Sequence, residues 1–128
     1  MAKDPNPKNK PEAVPDPNTM NPQSTAEFLE RGWLFYSRQK FEQAEADFRK
    51  VLQQESANVD AWYSLGLTLK ALGKGPQAIE AFSQVDKAID EVDDAQRATI
   101  ILRLTHGQIN MIRTGNWNLE NEIWKSKH

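Results

Sequence analysis

The chain has 128 residues, 38% of them hydrophobic and 27% charged, enough for one helix-rich domain with a true core. A formal charge of −2 leaves no basic excess for gripping nucleic acid or an anionic membrane, and the absence of cysteine excludes disulfides and thiolate metal sites. Residues 1–20 lack an apolar secretory core and no apolar run reaches membrane-spanning length, so a cytoplasmic protein without direct membrane insertion is expected.

Residues 1–23 read as a disordered, Pro-rich tail. Six of the seven prolines lie there, among Asn, Lys and Asp, and such a segment buries too little to offset its ordering entropy. The folded part opens at Ser24, where Ser24-Thr25-Ala26-Glu27 forms a capping box. A helix to about Arg38 follows, and Phe41–Gln54 is its antiparallel partner. Ser56-Ala57-Asn58 is a polar link, with Asn58 a cap for the next helix.

From Val59, Trp62, Leu65, Gly66 and Leu69 recur at helical spacing until Gly73-Lys74-Gly75-Pro76 breaks the run. A second stripe follows at Ala78, Phe82, Val85 and Ile89. Small Gly66 and Ala78, one on each helix, predict a close crossing flanked by Trp62, Leu65 and Phe82. Asp93-Asp94 suits the start of another helix, running from Ala95 to Arg113 and stopping at Gly115. A looser helix over about Asn118–Lys125 is expected to end the chain, with Trp117 and Trp124 as its buried contacts.

Residues 25–58 align with 59–92 without a gap. Six positions are identical: Gly32/Gly66, Lys40/Lys74, Gln43/Gln77, Ala44/Ala78, Phe48/Phe82 and Val51/Val85. Trp62-x2-Leu65-Gly66 followed by Ala78-x3-Phe82, repeated in part by Gly32 and Ala44-x3-Phe48, resembles the tetratricopeptide repeat (TPR) family. Arg31 departs from that pattern at the usual leucine position, tolerable on a first repeat with no neighbour. Setting Gly115 against Gly73 yields a degraded third unit over residues 93–128, with Gln108 and Glu120 where the family has Gly and Ala. The resemblance thus implies an all-α, right-handed helical-repeat array of αα-hairpins within 24–128, two full repeats plus a degraded third.

Catalytic and metal constellations are missing from the sequence. His106 has no second histidine or cysteine at ligand spacing, and the few glycines form no phosphate loop, so neither an enzyme nor a cofactor is expected. Function then falls to a surface. In the family, positions 2, 5, 9, 12 and 13 of each repeat face a concave groove, which the resemblance places here at Leu29, Trp33 and Tyr36, then Tyr63, Leu67 and Lys70, then Leu102, Ile109 and Ile112. Leu29 and Trp33 stand where carboxylate-gripping relatives carry Lys and Asn, so a C-terminal carboxylate clamp is not expected. Trp33 and Tyr63 are expected to lie outside the Gly/Ala/Phe interlock.

Such an apolar groove is either inter-repeat core or a seat for an amphipathic helix or extended apolar segment. Two functions follow: an adaptor or assembly factor holding a protein or peptide segment, or a structural accessory subunit or homo-oligomer whose apolar surface stays buried. A one-base-per-repeat RNA reader fits the acidic balance poorly.

Overall fold

The computed structural model describes residues 14–119, and within them all regular structure is helical. Five α-helices follow in order: α1 (Thr25–Ser37), α2 (Phe41–Gln54), α3 (Val59–Ala71), α4 (Gly75–Ala88) and α5 (Ala95–Thr114). Each packs on its neighbour in sequence, α4 and α5 being joined through a 3-10 turn at Ile89–Glu91, and α1, α3 and α5 lie side by side. The result is a helical-repeat array: hairpin α1/α2, hairpin α3/α4, then α5.

Local chemistry places the helix ends. Ser24 Oγ accepts from the Glu27 amide at 3.2 Å, although its hydroxyl turns to the Glu27 carboxylate. The Asn58 side chain accepts from the Ala61 amide, and the Asp94 carboxylate from Gln96 and Arg97. At the other end, α1 and α3 close with the same pair of bonds: Lys40 and Gln39 amides to Phe35 and Tyr36 carbonyls, then Lys74 and Gly73 to Leu69 and Lys70. Position C′ needs positive φ, which Gly73 adopts at 77° and Gln39 at 62°.

The expected close crossings are present. Phe48 and Phe82 are fully buried, as are Ala44 and Ala78. A Cβ on Gly32 would lie 2.6 Å from the Phe48 ring, and one on Gly66 would meet the Phe82 ring closer still. Only glycine lets these rings come this close to the neighbouring helix.

Two parts differ from the expectation. Residues 14–20, read as tail, form a 3-10 turn at Pro17–Thr19 against α1, with Pro17 fully buried. A proline ring can be buried there because it brings no N–H to satisfy. The third unit also falls in a different register. Gly107 is the counterpart of Gly66, and the ring on it belongs to Trp117 from the loop after α5. Gly115 does end α5 in the left-handed region, but one residue further from its packing glycine than Gly73 lies from Gly66. Aligning on the helix stop therefore misplaces the packing face. Trp117 remains 37% exposed, while Leu119 is buried. Trp124, Glu120 and most of the expected last helix lie outside the described residues, as do residues 1–13.

Candidate functional site

The faces of α1, α3 and α5 that lie together carry most of the expected groove residues. On α1, Leu29 and Tyr36 are half-buried against the core, while Trp33 stands 37% exposed. Trp33 meets Tyr36 edge-on at 5.4 Å and Phe48 at 5.8 Å, and Tyr36 meets Phe41 at 5.3 Å. On α3, Tyr63 lies 5.6 Å from Phe82, with Leu67 half-buried beside the same core. Trp33 and Tyr63 therefore both touch the interlock phenylalanines rather than lying outside the interlock.

Polar contacts hold α5 to α3. Lys70 Nζ donates to Gln108 Oε1 at 2.7 Å, and Gln108 Nε2 donates to the Tyr63 hydroxyl at 3.5 Å. Arg97 pairs with Asp60 one helix-end away. Burial pushes the Tyr63 hydroxyl above its ordinary pKa, while the Gln108 bond and a neighbouring Tyr36 act in opposite directions. The phenol stays protonated at neutral pH and serves as an acceptor. On the other side of α5, His106 Nε2 lies 2.8 Å from Asp86 Oδ1.

Of the third set of expected groove residues, Ile109 is core, only 8% exposed, while Leu102 and Ile112 are half-buried, Ile112 packing against the core and reaching toward Gly75. Thr105 is fully buried, its hydroxyl donating to the Ile101 carbonyl. Thr105 thus matches Ser64, another buried hydroxyl bonded one turn back, at the same 41-residue step that takes Gly66 to Gly107. In that register Leu104, Gln108 and Met111 correspond to Tyr63, Leu67 and Lys70. Leu104 is 41% exposed and Met111 36%, as members of an open face would be, and Ile100 continues the stripe. The signal for this lay in Gly107 itself, a glycine inside a helix where nothing but close packing calls for one.

None of the helices in the described residues is long and apolar enough to cross a membrane. Residues 32–73, which span the junction of the first two hairpins, match the family model for the TPR repeat. No curated protein and no solved structure matches the chain.

Proposed function

We propose, for a chain that belongs to the TPR repeat family through residues 32–73, that it is a non-catalytic adaptor or assembly factor. Its partner is an apolar or amphipathic protein segment laid across the faces of α1, α3 and α5. What supports this reading is the set of large apolar side chains left exposed on these helices, Trp33 on α1 and Leu104 and Met111 on α5, with Tyr63 and Leu67 half-buried on α3. Its charges are largely engaged already, Lys70 by Gln108 and Asp60 by Arg97. Recognition is accordingly apolar and weakly dependent on salt.

Leu104→Ser combined with Met111→Ser tests the reading, since both side chains are exposed enough to change without opening the core. A photo-crosslinking residue at position 104 should capture a partner that the same residue at Lys50, on exposed α2, does not capture. The double variant should keep its helicity and lose that partner, each anchor contributing on the order of 1–2 kcal/mol. Undiminished capture by the double variant, or equal capture from position 50, would refute the site.

A second reading has its own observation. Ile100, Leu104, Met111 and Trp117 are all exposed at the end of the array, as expected of a self-associating module or accessory subunit. Sedimentation separates the two: a monomer at micromolar concentration supports the adaptor.

A further inference from the structure

The end of the array opposite α5 is covered by the chain's own residues 14–20. Asp16 organises this segment: its carboxylate accepts from the Asn18 amide at 2.9 Å, and its carbonyl accepts from the Thr19 amide and hydroxyl. Pro17 is fully buried, and with Asn18 it borders a cleft whose other walls are Arg31, Phe35, Gln43, Ala46 and Asp47. One repeat on, Leu65, Leu69, Gln77, Glu80 and Ala81 line a cleft shared with Arg49 of α2. The two seats are the same surface in successive repeats. In the second repeat it faces the preceding helix; in the first it faces Pro17.

The residues that differ between the seats suit that change of occupant. A helix arrives with its carbonyls already bonded, whereas an extended segment arrives with bare carbonyls that need donors. Where the second repeat has Leu65 and Ala81, the first has Arg31 and Asp47, joined by two hydrogen bonds of 2.8 and 2.7 Å. Held in place by Asp47, Arg31 also directs Nη1 to the Met20 carbonyl at 3.5 Å. Arg38 donates to the Pro15 carbonyl at 3.3 Å and lies 3.6 Å from the Asp16 carboxylate. Two arginines therefore read the backbone on both sides of one buried proline.

We infer that this end face is a peptide-binding site for an Asp-Pro-Asn turn with extended flanks, occupied in cis by residues 14–20 and exchangeable with the same segment supplied in trans. Apart from the Pro17 ring, the segment is held by contacts near the surface, so it opens well before the array unfolds. Its tether gives it a high effective concentration, which a free peptide must overcome.

The test uses the full chain and a fluorescein-labelled peptide of residues 13–21, read by polarisation. Pro17→Asp places a carboxylate in the seat beside Asp47 and should release the segment. This variant should bind the peptide saturably, and wild type at least tenfold more weakly. Adding Arg38→Ala should weaken binding severalfold, whereas Leu104→Ser with Met111→Ser should not change it. Amide exchange at Thr19 and Met20 should be slow in wild type and fast in Pro17→Asp. Should that variant fold poorly, Asp16→Ala with Pro17→Gly serves the same purpose. Equal affinity for wild type and the opened variant, or no binding to the opened variant at millimolar peptide, would overturn the inference.

Discussion

Replacing Arg31 and Asp47 by the residues that occupy their places in the second repeat isolates what the pair contributes. Asp47 is only 4% exposed and its two carboxylate oxygens are bound by the Arg31 guanidinium, which itself stacks over Phe28 and Phe35. That hydrogen bonding raises the arginine pKa above its already high ordinary value, so the guanidinium stays charged at any working pH. Arg31→Leu strands a buried carboxylate and should cost about 3 kcal/mol, the low end for breaking a buried pair because Arg31 keeps some contact with water. Asp47→Ala should cost less, about 1–2 kcal/mol, because the long arginine can swing its head toward solvent. The double change Arg31→Leu, Asp47→Ala recreates the Leu65/Ala81 pair and should lie within about 1 kcal/mol of wild type. Urea denaturation followed by helical circular dichroism should therefore give a coupling energy of about 3–5 kcal/mol. Single costs that simply add, to within about 0.5 kcal/mol, would show that the pair does not act as a unit.

Gln39→Gly should stabilise the protein by about 1 kcal/mol, since Gln39 holds the left-handed position that Gly73 fills in the next repeat; a melting temperature unchanged or lowered would contradict the shared helix stop. Gly107→Ala should displace the Trp117 ring and shift tryptophan emission to the red, while Gln108→Ala should leave emission in place and cost only the Lys70 and Tyr63 contacts. The opposite pattern would restore the register in which Gln108 takes the glycine position.

Local patterns in the chain were enough to determine the helices and their pairing. Apolar spacing, the Ser24 and Asn58 caps and the Gly73 stop act within a turn or two, so α2 spans the expected Phe41–Gln54 and the Gly32/Phe48 and Gly66/Phe82 crossings follow from a repeated pattern. Tertiary structure decided what such patterns do not encode. Whether Gly107 or Gln108 of the third unit takes the packing position depended on a ring arriving from beyond the helix end, and that single-residue difference turned Ile109 inward and left Leu104 and Met111 outside. Trp33 and Tyr63 carry the same aromatic character whether they float above the crossing or rest on it, and only the packing shows that they rest on Phe48 and Phe82. The segment around Pro17 reads as tail because its composition is polar; it is ordered because Arg31 and Arg38 supply donors from far along the chain to carbonyls that composition does not count.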